Sequence, residues 1–288
     1  DEFAIPGAFI LSDGAGRNRF PIKAAADGNG NEMPLTQDEV RQLLETAHQT
    51  MSAARGQIRR PLNQSARVSM VVVDTTGEIL GLVIGSDAPI FGLDVAVQKA
   101  RTATFFSSEL AATYLVGLNR DEISDYVQRA RVFLNDPLAL TGQHAFSDRA
   151  GGNLSRPYFP DGELGRPHGP LSRPITEWSP FATGLQESLV RPELVKHLGF
   201  VDGLSEDPGA NECVGLSNEG NDIHLLENGI QIFPGSVPIY RGSTLIGGIG
   251  VSGDGVDQDD MIAFLSVHLA GEASGTFGNA PKEIRADT

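Results

Sequence analysis

The stretch Arg67–Phe106, RVSMVVVDTTGEILGLVIGSDAPIFGLDVAVQKARTATFF, decides how this chain folds. Val68 to Asp74 is dense in Val and Met, a composition that suits a strand pressed against a core. Asp74-Thr75-Thr76-Gly77 reads as a turn, because Asp bonds back to nearby amides and Gly accepts positive φ. Glu78 to Gly85 returns as a second apolar run, so the pair predicts an antiparallel hairpin. Asp87-Ala88-Pro89 then breaks the strand. From Leu93 the period lengthens, with Leu93, Val97, Ala100 and Thr104 on one side and Gln98, Lys99 and Arg101 on the other. That spacing predicts a helix folded back over the hairpin.

A second stretch is equally regular: Gly235–Ala270, GSVPIYRGSTLIGGIGVSGDGVDQDDMIAFLSVHLA. Val237–Tyr240 and Thr244–Val251 read as strands joined through Arg241-Gly242-Ser243, and Asp257 or Asp259 is placed to cap a helix through Leu269. Glycines at 247, 248 and 250 strip side chains from the second strand, which predicts close approach of another backbone.

These residues resemble the HbpS/GlcG family of haem-binding-like proteins, a group that includes the C-terminal domain of PduO. The resemblance is carried by VSMVVVDTTGEILG, SDAP and VQKARTATFF, and later by GSVPIYRGSTLIGGIGVSG with DQDDMIA. The family pattern runs VVD-x-x-G, a D-x-A turn, KARTA, PGG-x-PI, then G-A-I-G-V-S-G with an acidic cap. This chain departs from it at Ser236, where the second Gly of PGG is usual. The motifs keep their order but cover only about half the chain. The resemblance implies a discontinuous domain over residues 35–106 and 229–271, with a homo-oligomer holding ligand near subunit interfaces. Around it lie an N-terminal arm (1–34), an insertion (107–228) and a C-terminal tail (272–288). The expected fold is α+β: a single antiparallel sheet of about five strands flanked by helices, interrupted by a long loop-rich insertion.

Composition narrows the function classes. A net charge of −15 over 288 residues argues against nucleic acid and anionic membranes, which reward Lys and Arg. No apolar run reaches transmembrane length and no signal peptide is visible. The start at Asp1 and the acidity make a bacterial periplasmic or extracellular protein the expectation. Cys213 stands alone, so there is no internal disulfide and no CxxCH haem attachment. Any haem is expected to be held non-covalently.

The rest of the chain is read around these units. Residues 1–31 form a loose arm with one short strand near Ala8–Leu11. Asp27, Asn29 and Asn31 alternate as in a calcium loop, but Glu32 replaces the required Gly and Asp38 the final Glu, so a polar linker is expected. Thr36–Ala54 is a helix opened by a capping box, Thr36-x-x-Glu39, with His48 on the flank of its apolar stripe. Within the insertion, Asp121–Leu134 has a helical stripe stopped by Asn135-Asp136-Pro137, and Pro192–Leu198 reads as a short helix with Pro first. Leu140–Gly184 lacks periodicity and mixes Arg with aromatics; it suits a lid packed on its own domain, or a clamp for propionates or a neighbouring subunit. Val201–Asp222 carries acids without one Lys or Arg and reads as a solvated loop.

Catalytic constellations are missing from the sequence: there is no HExxH, CxxC, P-loop or GxGxxG, and Gly250-Val251-Ser252-Gly253-Asp254 lacks the last Gly of a nucleophile elbow. The glycine-rich run before the last helix faces Asp254, Asp257, Asp259 and Asp260, which would repel phosphate. A haem site needs an apolar slot, an axial ligand and partners for two propionates. His48 and His268 are the helical imidazoles beside apolar faces. The resemblance adds Thr102, in the KARTA helix, as the residue linked to iron, with Lys99 and Arg101 placed to meet carboxylates or face solvent. The expected function is therefore an exported haem or tetrapyrrole binder, with weak binding suited to sensing, storage or scavenging and no turnover. The alternative is a haem-free structural module assembled through the Arg/aromatic insertion.

Overall fold

In a computed structural model residues 2–3, 5–26, 33–208, 213–214 and 224–286 are described. The calcium-like run 27–32 and the acids Glu212, Glu219 and Asp222 lie outside them. In chain order the elements are β1 (Ala8–Phe9), α1 (Gln37–Ala53), β2 (Ser69–Val73), β3 (Ile79–Gly85), α2 (Phe91–Ser107), α3 (Ala111–Gly117), α4 (Asp121–Leu134), α5 (Asp148–Leu154), α6 (Leu185–Val201), β4 (Ser236–Arg241), β5 (Thr244–Ser252), α7 (Val256–Ser274) and β6 (Gly278–Asn279).

The two hairpins join in one antiparallel α+β sheet of order β1-β3-β2-β5-β4-β6. Its centre is the β2–β5 ladder, Ser69 opposite Ser252 through Val73 opposite Gly248. Six strands are present where about five were expected, because the two-residue β1 and β6 extend the edges. Strand alternation sorts the side chains. Met70, Val72, Leu80, Val83, Ile249 and Val251 pack with α1 and α7 in one core, while Val71, Val73 and Leu82 pack with Ala96, Val97 and Ala100 of α2 on the other face.

The glycine gap in β5 does what its spacing predicts. A Cβ at Gly250 would stand 2.0 Å from the Ala96 carbonyl oxygen, and one at Gly248 2.4 Å from Thr104 Oγ1, so α2 lies directly on bare strand. The capping box is also formed: Glu39 N–H donates to Thr36 Oγ1 at 3.2 Å and Thr36 N–H donates to Glu39 at 2.9 Å. Glu39 further accepts from Arg241 and Thr276, which ties α1 to the β4–β5 hairpin and the end of α7. Burial alone would raise its carboxyl, but these donors hold it at about 2.

Two local expectations change. The helix expected over Pro192–Leu198 runs from Leu185 to Val201, with Pro192 and Gly199 inside it. Leu185 and Leu189 bury against the insertion's core and draw the helix upstream. The Ser188 carbonyl, which Pro192 cannot bond, accepts instead from the Arg120 guanidinium. The last helix continues past Leu269 to Ser274 and starts without a side-chain cap, because Asp259 turns inward.

The chain between the end of α2 and β4 builds a second core. Phe105 and Phe106, at the end of α2, pack with Leu115, Ile123, Val127, Phe146, Leu171 and Leu185. The aperiodic Leu140–Gly184 region contains α5, whose Gly152 would place a Cβ 2.0 Å from the Ile232 carbonyl. Its arginines meet the protein's own carboxylates: Arg149 with Asp257 at 2.6 Å and Asp260 at 2.7 Å, Arg166 with Glu163, and Arg173 with Glu187.

Candidate functional site

Helix α2 carries its two cations inward. Lys99 Nζ donates to the Val251 carbonyl at 2.9 Å and to Asp259 at 3.1 Å, in an ion pair whose two side chains are 2% and 3% exposed. Gly235 makes room for the ammonium, since a Cβ there would sit 2.5 Å from Nζ. Arg101 donates to the Gly77 carbonyl at 2.9 Å and to Asn228 at 3.1 Å, and pairs with Glu227 at 3.0 Å. Lys99 and Arg101 therefore spend their charges on internal partners. Thr102 is equally committed: its hydroxyl donates to the Gln98 carbonyl at 2.7 Å and accepts the Gln231 N–H at 2.8 Å, pinning the returning chain to α2.

Beside the Lys99–Asp259 pair lies a group that no sequence pattern signals. Asp148, at the start of α5, is fully buried, and its carboxyl oxygens make no hydrogen bond among the described residues. Burial pushes its pKa well up; Ser236 and Lys99 pull it down and Asp260 adds to the rise. An acid with a raised folded pKa binds its proton more tightly in the native state, so stability falls as pH rises from the ordinary carboxylate range through the folded value. Asp148→Asn is expected to abolish this loss. In urea melts at successive pH values the variant should match wild type in acid and gain on it as pH rises, by up to about 1.4 kcal/mol per unit. Parallel stability curves would show that Asp148 is already ionised in the fold.

His48 sits on the opposite face of the sheet, in α1. It is 2% exposed, and neither Nδ1 nor Nε2 has a hydrogen-bond partner among the described residues. The N-terminal arm covers it: a Cβ at Gly7 would stand 3.9 Å from Nε2. That arm is held at the sheet edge by the pairing of Ala8 with Gly85 and Phe9 with Ile84. His268 is exposed on the outer side of α7, whose inner side is Ile262, Ala263, Ser266, Val267 and Ala270. The five residues singled out from sequence thus do not converge. Lys99, Arg101 and Thr102 share α2, His48 lies across the sheet, and His268 points away from both cores.

Two cavities bear on the site, and none of the five lines either. One, of about 280 Å³, lies between α5, β4 and α7, with Arg149, Asp257 and Asp260 around an apolar floor of Val237, Met261 and Phe264. The other, of about 460 Å³, lies at the end of α2 against the β4–β5 turn. No group of three or more His, Cys, Asp or Glu side chains is arranged to hold a metal ion, and no helix is long and apolar enough to cross a membrane, among the described residues.

With this geometry in view, the chain can be set beside known proteins. The family model described as "Haem degrading protein HbpS-like" matches residues 205–267, which hold the β4–β5 hairpin and α7 as far as Val267. No curated protein matches. Among solved structures, the PduOC:Heme complex is 16% identical, with 83% of this chain and 95% of that chain covered and a TM-score of 0.36. The Klebsiella pneumoniae protein ORFY is 13% identical, with 84% and 94% covered and a TM-score of 0.36. HbpS itself is 15% identical, with 86% and 96% covered and a TM-score of 0.32. The matched residues 205–267, holding the β4–β5 hairpin and most of α7, are thus similar to the HbpS-like family.

Proposed function

We propose that this protein binds haem or a related tetrapyrrole non-covalently, with His48 as the iron ligand. One observation carries the assignment: a buried imidazole with both nitrogens free of partners. Burying an unpaired polar group costs about 1–3 kcal/mol, so such a residue asks for a role that uses it. A metal ion consumes one ring nitrogen and accounts for its lack of a protein partner. The HbpS-like family match supports the ligand class. Thr102 fits less well, because its buried hydroxyl already donates to the Gln98 carbonyl and accepts the Gln231 N–H. His268 has no enclosed slot.

Access to His48 requires the N-terminal arm to move; among the described residues the arm pairs with the sheet through the two-residue β1 and a Lys23 N–H bond to the Leu80 carbonyl at 2.9 Å. Arg41 lies seven residues before His48, two turns along the same face of α1, where a cation could meet a carboxylate; its guanidinium now donates to the Glu2 carbonyl at 2.6 Å. Loose, gated binding of this kind suits sensing, storage or scavenging. Export to a bacterial periplasm or extracellular space and assembly as a homo-oligomer belong to the same proposal.

A haemin titration followed by absorbance tests it. Wild type should shift the Soret band; His48→Leu should abolish the shift while remaining at least as stable as wild type, since its imidazole has no protein bond to lose. Thr102→Ala should retain the shift. A Soret shift unchanged in His48→Leu would remove His48 from the site. No shift in wild type, together with loss of oligomers on deleting residues 140–184, would favour the haem-free assembly module.

A further inference from the structure

The 460 Å³ cavity is built from hydroxyls. Thr75, Ser107, Ser108, Tyr240, Ser243 and Thr244 supply six of its lining residues, and Glu109 is its one ionisable acid; no Lys, Arg or His lines it. Three parts of the chain meet there: the turn after β2, the end of α2 with the start of the insertion, and the tip of the β4–β5 hairpin. Neither hairpin alone could form it. Its volume falls within the range of about 300–1,000 Å³ common to small-molecule sites.

The hydroxyls divide by duty. Ser107 exchanges hydrogen bonds with the Phe146 backbone and Ser108 bonds the Phe105 carbonyl, so these two stiffen the wall. Ser243 and Thr244 are exposed at the hairpin tip. Tyr240 is the decisive residue. It is 2% exposed and its hydroxyl has no hydrogen-bond partner among the described residues. Burial pushes its pKa up to about 12, against the pull of neighbouring Ser107, so the phenol remains a hydrogen-bond donor at every physiological pH. An orphaned buried donor beside a cavity rich in acceptors is a group waiting for a ligand oxygen.

We propose that this cavity binds a neutral polyhydroxy compound, a monosaccharide or cyclic polyol, with Tyr240 donating to one ligand hydroxyl and Glu109 accepting from another. The chemistry excludes the other classes in turn. An anion would meet the Glu109 carboxylate, no lining cation and a chain of net charge −15. A hard cation needs several carboxylate or carbonyl oxygens, and one acid does not supply them. An apolar ligand would bury hydroxyls without replacing their bonds to water. A polyol both donates and accepts at each hydroxyl, and its C–H faces can rest on Leu110 and Leu245. This site is separate from the haem proposal and does not depend on it.

Saturation-transfer NMR on the full chain tests the assignment, with D-glucose and myo-inositol as neutral probes and glucose 6-phosphate as the charged counterpart. At least one neutral probe should receive saturation, and the phosphate ester should bind more weakly. Tyr240→Phe, which keeps the ring packing, should weaken binding about tenfold, as should the exposed Glu109→Gln. Tyr240→Phe should also melt at a higher temperature than wild type without ligand, because it removes an unpaired buried donor. No transfer to either neutral probe would overturn the proposal and leave water as the occupant. Equal affinity in both variants, or tighter binding of the phosphate ester, would overturn it as well.

Discussion

Gly250→Ala is expected to cost about 3 kcal/mol or more and to lower the melting temperature by roughly 10 °C. The new methyl would stand 2.0 Å from the Ala96 carbonyl oxygen, 2.6 Å from the Ala100 nitrogen and 3.0 Å from the Ala100 Cβ. Two of these are backbone atoms of α2, which cannot rotate aside as a side chain would. Relief requires lifting the helix from β5, opening gaps around Val71, Val73 and Ala100 beneath it. Gly117→Ala is the matched control, because a Cβ at that helical position has nothing within 4 Å. Alanine there should be neutral or stabilising by up to about 1 kcal/mol. Thermal melts followed by circular dichroism compare the two. Similar melting temperatures for the two variants would mean that α2 does not lie on the bare strand.

Lys99→Met should be almost as damaging. It leaves Asp259 buried opposite an apolar chain, and breaking one partner of a buried ion pair typically costs about 3–5 kcal/mol. Asp259 would keep only the Asp254 N–H at 3.1 Å and the Gly253 N–H at 3.4 Å. Nearby Asp148 would also lose the cation that lowers its pKa. The double variant Lys99→Met/Asp259→Asn should recover part of the loss, since no charge is left buried and the amide oxygen can still accept the Asp254 N–H, while the amide NH2 cannot accept the weaker Gly253 bond. Urea denaturation of the two single variants and the double gives the coupling directly. Additive costs would mean that Lys99 and Asp259 do not act as a pair in the native state.

Both results concern α2, and only the first is legible in the sequence. The triple glycine in Thr244–Val251 predicted close backbone approach, and the approaching element is α2. The change from strand to helical period around Leu93 placed that helix over the hairpin. The side of α2 bearing Gln98, Lys99 and Arg101 read as polar, yet Lys99 and Arg101 are buried with internal acids supplied by residues 259 and 227. Spacing within a helix reports which residues share a side, but it does not report what packs against that side.

The candidate sites follow the same division. His48 was legible as an imidazole on the flank of an apolar stripe, because that depends only on helical spacing around Leu44 and Met51. Its lack of a hydrogen-bond partner and its cover by Gly7 depend on where the N-terminal arm lies. Asp148 gave no signal, since Ser147-Asp148-Arg149 reads like any helix start; its burial comes from α5 pressing against β4 and α2. The hydroxyl-lined cavity was equally hidden, its six hydroxyls being scattered from Thr75 to Thr244.

From the sequence alone came the two hairpin–helix units, the capping box at Thr36, the α4 stripe and the family that these motifs resemble. Each rests on residues within a few turns or one hairpin of each other, where periodicity and turn chemistry act directly. Tertiary structure alone decided that β2 and β5 are neighbours across the insertion, that α6 runs through Pro192, and that Lys99 meets Asp259. Those outcomes depend on which distant surfaces bury one another, and local spacing carries no information about partners more than a hundred residues away.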